Sequence, residues 1–539
     1  MSSSTSSISH TTRDERHDLE KQDSSSFPRK SQLDGERHAS THEHHSPLES
    51  ALNDDQVYQT DPGANKTTRW HRFLLNAGLE GNGIQPVPVD QRTSTQYSNL
   101  FTVFFTCLLC LLPVPTGMLA TLEFGLSLRD SSLVILFFGM LTCIPPAFMG
   151  IGGMETGMRQ LVQARYSFGR YLVTVPLLLN AATITGFSLI SSIVGGQTIA
   201  ALDPETVSVN IGIVITCLVS FAVSLLGFKA LHFWERWTWI PNLIALTIAV
   251  GCGAKYLHLQ SEPPAPAAPS QILSYGGLIA GYFITFGGVT SDYSIYHKPK
   301  GVSKLKIFLY IYLGLLLPSI PLLILGASLG GAVPSIPSWS SAYHTTGIGG
   351  VMYTILTSSL GLGFGSFVLV LLALSVIGNI SISMYSIALN LQMLLPPFAR
   401  IHRSVFIIVT MAIMIPLAIT AASTGWETSL MNFLAVIGYW AGCFDAVLIL
   451  ELVVFRRMDY STFDHAIWDD MGKKLPPGVA ALGASLVSLA LLVPGMNEPW
   501  YTGPIAAVTG DIGFEMAFVV TAIAYLPFRW LEIRFRGGL

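Results

Sequence analysis

The chain has 539 residues, half of them hydrophobic and only 12% charged, with a formal net charge of −3. A soluble domain carries roughly 25% charged residues, so the composition excludes one; what remains is an all-α polytopic protein embedded in a lipid bilayer, with no nucleic-acid partner expected. Six cysteines all fall in apolar stretches, which argues against a disulfide framework and leaves them as apolar fillers, with neither metal nor cofactor expected.

A membrane span needs about 20 mostly apolar residues. The sequence offers twelve: near 97–121, 130–151, 170–198, 207–228, 237–257, 272–292, 305–329, 366–394, 403–423, 429–454, 478–495 and 511–531. Ahead of them, residues 1–64 are rich in Ser, His, Asp, Glu and Arg and too polar to bury a core. They read as a disordered cytoplasmic tail, whose Lys21, Lys30 and serines are open to ubiquitin and phosphorylation machinery. His42, His44 and His45 read as a solvated run rather than a metal site. Residues 65–96 form a juxtamembrane segment, with Lys66 as a further acceptor and a short interfacial helix over Trp70–Leu79.

The first span is interrupted by Pro113, Pro115 and Gly117. The stretch 154–170 is amphipathic and basic, either packed on the bundle at the cytoplasmic face or a solvated loop. Span three places Asn180, Ile184, Phe187 and Ser191 on one helical face. The first five spans, 97–258, end at a Pro/Ala-rich outer linker, 259–271, and a second set of five follows over 272–454. Its opening span breaks at Gly287, Gly288, Thr290, Ser291 and Asp292. In hydrocarbon each unpaired backbone group costs several kcal/mol, so a helix is interrupted there only beside protein or a wet cavity. Two broken spans at matching positions of two halves point to a transporter's central site. Gly331–Gly363 reads as an outer lid over the vestibule. Span eight carries a second polar stripe, Asn379, Ser383, Ser386 and Asn390, directed toward a cavity or toward neighbouring helices. A cytoplasmic loop (455–477), two accessory spans (478–532) and a cytoplasmic C-terminus (533–539) complete the chain.

With both termini inside, fifteen Lys or Arg residues fall in cytoplasmic loops and two, Arg129 and Lys255, in outer ones, as expected for retained positive charge. Two acids lie within spans, Asp292 and Asp445, while Glu451 and Glu515 stand close enough to the span ends to reach water. A buried carboxylate can bind and release a proton as access changes. Asp292 has that role open to it, or a gate pairing with a cytoplasmic cation, or a cap on the freed amides. Neither acid has the Gly-x-Gly-Asp setting of an intramembrane aspartyl protease, and phosphate loops, zinc motifs and nucleophile elbows are missing, so no enzyme is expected.

The segments Gly157–Gln160 through Tyr166–Gly169, Leu231–Pro241, Ser291–Tyr296 and Trp70–Pro88 resemble the nucleobase-cation symporter family, in its fungal purine-cytosine permease branch. The resemblance implies an inverted five-plus-five, LeuT-like repeat with broken helices one and six, plus two added helices. It also implies plasma-membrane uptake with a co-transported cation, a proton rather than sodium, and a substrate held between spans one, three, six and eight. Phe187 and Phe286 would then sandwich a small planar heterocycle of the purine or cytosine type, with Ser191, Asn379 and Ser383 supplying hydrogen bonds and Gly287 and Gly288 acting as hinge. This chain departs from the family pattern at Pro113, Phe187, Ser191, Phe286 and the Asn379–Ser383 run. A carrier of another nitrogen heterocycle, vitamin-like or secondary metabolite, therefore stays open, as does a transceptor or channel without concentrative uptake.

Overall fold

The computed structural model describes residues 83–225, 237–263, 265–472 and 474–539, all within one unit spanning Val57–Leu539. The tail over 1–64, the interfacial helix and residues 231–236 of the third motif lie outside the described residues.

Among the described residues seven helices are long and apolar enough to cross a membrane, eight if one bent pair counts as a single span. That pair is α1 (Ser98–Leu108) and α2 (Pro113–Leu122), bent by 53°. Pro113 opens α2, a position where the missing N–H costs nothing because no intrahelical acceptor awaits it. The expected interruption is therefore displaced: the chain leaves the helix at Leu109–Leu112, and Pro113, Pro115 and Gly117 stand inside α2. Gly117 serves packing instead. A methyl there would overlap the Leu323 carbonyl of α10 (Lys304–Ala332), and one at Gly326 would overlap the Val114 carbonyl. The two helices thus cross backbone to backbone, as small residues allow.

α3 (Leu128–Thr142) starts at Ser127, whose hydroxyl accepts from the Asp130 amide at 3.1 Å, one of the orphan donors of a helix start. It continues into α4 (Ile144–Thr156), which ends at Gly157 in the left-handed region, φ 67°, a conformation that costs glycine little. Arg92 then closes the end of α4. Its buried guanidinium donates to the Met154, Glu155 and Thr156 carbonyls at 3.0–3.1 Å, using the acceptors that a helix terminus leaves over.

α5 (Gln160–Leu172) is buried from Gln160 to Arg170, so the basic stretch after α4 is packed and not solvated. Arg165 and Arg170 both pair with Asp469, at 2.7 and 2.6 Å. Burial, with Arg170 beside it, brings the Arg165 guanidinium down to about 10 despite that partner.

There follow α6 (Thr174–Ala200), α7 (Val209–Leu225), α8 (Trp239–Gly253) and α9 (Pro269–Ile284). α9 gives way to two 3-10 turns, Thr285–Gly288 and Thr290–Tyr293. After α10 the Gly/Ser-rich segment is mostly helix, α11 (Pro337–Leu360), bent at Thr346 and Gly347. α12 (Leu362–Leu394), α13 (Arg403–Thr424) and α14 (Trp426–Leu450) come next. Of the apolar stretch of α12, 78% is buried; of its row of Asn and Ser, Asn379 bonds Ser191 of α6 and Ser386 the Tyr293 hydroxyl, while the Asn390 amide nitrogen has no partner.

α14 runs into a single π turn, Glu451–Phe455. Glu451 does not reach for water: it is 1% exposed, and Arg456, Arg529 and the Tyr525 hydroxyl surround its carboxylate at 2.8–3.0 Å. α15 (Val479–Gly495), a hairpin of β1 (Asn497–Glu498) and β2 (Tyr501–Thr502), α16 (Ala506–Thr509) and α17 (Gly513–Arg536) end the chain, α15 packing along α17.

Candidate functional site

The 3-10 turns after α9 are where helix propensity fails, with Gly287 and Gly288 followed by a β-branched and polar run. The hydroxyls of that run do not face a cavity. Thr290, Ser291 and Ser294 donate to the Pro146, Met149 and Gly150 carbonyls at 2.8, 2.7 and 2.6 Å, which ties the turns to α4. The preceding residues, Tyr282 to Val289, are left to form a wall.

That wall faces a pocket lined by Cys107, Leu108 and Leu112 at the α1 break, Thr183, Ile184 and Phe187 on α6, and Asn379, Ile382, Ser383 and Ser386 on α12. α9 and its turns add Tyr282, Thr285, Phe286, Val289 and Tyr293. Free space at its centre is about 60 Å³, where one water needs about 10–15 Å³ on the same measure. A solute of one or two rings fits; a peptide does not.

Four of the five expected contact residues, Phe187, Phe286, Asn379 and Ser383, line the pocket. Ser191 does not. It is fully buried one layer behind, donating to Asn379 Oδ1 at 3.1 Å. The Asn379 Nδ2 donates to the Cys107 carbonyl at 3.1 Å and Sγ at 3.3 Å, so this one amide holds α1, α6 and α12 together at the pocket edge. Phe187 and Phe286 have centroids 6.5 Å apart and planes tilted by 36°. At that separation two rings touch each other; a solute ring between them needs them to part and flatten.

Sequence spacing missed Thr183, Cys107, Tyr282, Thr285 and Tyr293. Thr183 stands four residues before Phe187 on the same face, a readable signal, and its hydroxyl accepts from the Trp440 indole at 2.8 Å. Cys107, read as a filler, faces the pocket.

Asp292 stays outside the pocket. Its Oδ1 accepts from the Gln160 amide at 2.7 Å, and Oδ2 lies 3.8 Å from the Arg159 guanidinium. It closes the start of α5. Among the described residues no group of three His, Cys, Asp or Glu side chains could hold a metal ion.

Residues 86–520 match the family of permeases for cytosine/purines, uracil, thiamine and allantoin. The chain belongs to this family. The purine-cytosine permease fcyB of Emericella nidulans is 33% identical over 86% of this chain and 91% of its own length. The vitamin B6 transporter of Saccharomyces cerevisiae is 29% identical over 85% and 88%. Among solved structures, the nucleobase-cation-symport-1 family transporter Mhp1, in a closed conformation, aligns with a TM-score of 0.64 over 84% of this chain and 96% of its own, at 15% identity. This permease therefore has the Mhp1 fold and is a mostly helical, polytopic membrane transporter, and its named relatives are carriers, not enzymes.

Proposed function

We propose that this permease imports a small planar nitrogen heterocycle, of the purine or cytosine type, across the plasma membrane together with a proton. One observation carries the reading: a pocket of ring-sized volume between the α1 break, α6, the turns after α9 and α12, walled by Phe187, Phe286 and Tyr293 and edged by Thr183, Asn379 and Ser383. The aromatic rings offer stacking faces, and the hydroxyls and amide offer hydrogen bonds to a ring edge. Twelve spans in two inverted sets of five, with the accessory pair α15 and α17, and both termini in the cytoplasm, are part of the proposal.

Hinging at Leu109–Leu112 and at Gly287 and Gly288 would let two halves rock around the pocket, with Asp292 and Arg159 as the inner gate. A second reading has a specific support. The vitamin B6 transporter covers 88% of its own length against this chain, and the Asn379 amide is already engaged, which leaves few groups dedicated to a base edge. Uptake of radiolabelled cytosine in cells lacking their own permeases, competed by unlabelled purines, pyrimidines and pyridoxine, decides between them. Accumulation above the outside concentration is expected; equilibration alone would refute coupled transport.

A further inference from the structure

Asp445 lies on α14, fully buried, and neither of its carboxylate oxygens has a hydrogen-bond partner. It is not part of the pocket lining. What it meets is the broken segment: a methyl at Gly287 would overlap both carboxylate oxygens, and one at Gly288 would overlap the Asn180 side chain. The Asn180 Oδ1 is likewise without a partner. A buried acid and a buried amide thus press on the two hinge glycines from α14 and from α6.

The charged groups of the elements packed on α14 are committed elsewhere, Arg403 of α13 lying over the Tyr385 ring. α2, α6, α9, α15 and the Thr285–Gly288 turn bring no charged side chain. Arg165 and Arg170 of α5 hold Asp469. Arg529 of α17 holds Glu451, the other acid at that end of α14. Asp292 is bound to Gln160 and Arg159, Glu155 of α4 to Lys304. Glu515 of α17, whose oxygens are also unpartnered, forms no bond to it, nor does Tyr282 of α9.

We infer that Asp445 is the binding site of the co-transported proton and that the Gly287–Gly288 turn is the element it moves. The inference rests on the uptake reading above. An ionised carboxylate with no donor or cation beside it is several kcal/mol out of balance; a proton removes that charge in the arrangement seen and leaves one neutral O–H, a far smaller burial cost. When the proton leaves for the cytoplasm the carboxylate must find donors, and the turn that it packs against has backbone amides to supply them. Drawing those amides toward Asp445 shifts Phe286 and Val289, which wall the pocket. Proton release and substrate release are then one event, because the two protonation states favour different shapes of one segment.

The test has two arms. Infrared absorption of the purified full chain at pH 7, in a Glu515→Gln, Glu498→Gln background, is expected to show the carbonyl band of a protonated, unbonded carboxyl that vanishes with Asp445→Asn. Coincident spectra overturn the proposal. If Asp445→Asn does not survive purification, absence of the band from the background protein overturns it and presence supports it. In cells taking up radiolabelled cytosine, Asp445→Asn should keep exchange while accumulation falls to equilibration and the substrate-evoked rise in medium pH is lost. Unchanged accumulation and unchanged alkalinisation in Asp445→Asn overturn the assignment. Should the parent chain itself show no proton-linked uptake, the transport reading fails, while the infrared arm still judges Asp445.

Discussion

Removing the charge of Asp292 separates a gate from a proton carrier. Asp292→Asn keeps an oxygen to accept the Gln160 amide, now at 2.7 Å, and loses only the attraction to Arg159 at 3.8 Å. At an effective dielectric near 20 that attraction is about 4 kcal/mol gross. Arg159 is 2% and Asp292 10% exposed, so desolvation takes back half or more, leaving a net coupling of about 1.5–2 kcal/mol. Weakening an inner gate by that much drains the outward-facing state about 10- to 30-fold, and the apparent affinity for external substrate falls in proportion. Km measured on initial uptake rates should therefore rise about tenfold in Asp292→Asn and in Arg159→Met, with no further rise in the double variant. Additive effects of the two substitutions would refute the gate. Loss of pH-gradient dependence in Asp292→Asn, with Km unchanged, would make Asp292 the carrier.

Four further outcomes follow from the geometry. A Phe286→Ala, Asn379→Ala double variant that reaches the membrane should lose nearly all uptake, since it removes a stacking wall and the amide that ties α1, α6 and α12 at the pocket edge, at about 1–3 kcal/mol for each buried bond lost; wild-type rates would dismiss the pocket. Glu451→Ala should abolish folded protein in detergent chromatography, because the buried Arg456 loses its counter-charge at about 3–5 kcal/mol and Arg529 is left with Glu532 alone. Gly117→Ala should cost about 1–3 kcal/mol by forcing α2 off α10, read as a lower midpoint of thermal unfolding. Glu498 is pushed up to about 8 by burial and then by Asp511, so in the window between its ordinary value and 8 the folded chain binds a proton that the unfolded one has released. Stability then falls as pH rises from about 4.5 toward 8; Glu498→Gln should flatten that slope, and an unchanged slope would discard the cause.

The mostly helical, membrane-embedded character was legible because hydrocarbon enforces it: long apolar runs reveal themselves in composition, and seven described helices are long and apolar enough to cross a membrane. The broken sixth segment was also legible, since Gly-Gly-Val-Thr-Ser cannot hold a buried helix unaided. The first break was misplaced by a few residues for a reason the sequence does contain, proline preferring the start of a helix over the gap before it. Leu109–Leu112 itself carries no sign of unwinding. Periodicity found the α6 and α12 faces but not depth, so Ser191, one turn beyond Phe187, was taken for a contact when it supports one. Glu451 looked able to reach water by its distance from the span end. Its partners lie on α17 and in the loop after α14, a meeting that only the folded chain reveals.

That meeting bears on how the protein is made. Glu451 is threaded into the membrane well before the ribosome has produced Arg529, 78 positions further on, and Arg456 alone must neutralise it in the interval. That end of the bundle is thus sealed only when the last helix arrives. A chain cut short ahead of α17 keeps its pocket residues and still presents an incompletely matched acid, a defect that shows as lost folded protein rather than as altered substrate affinity.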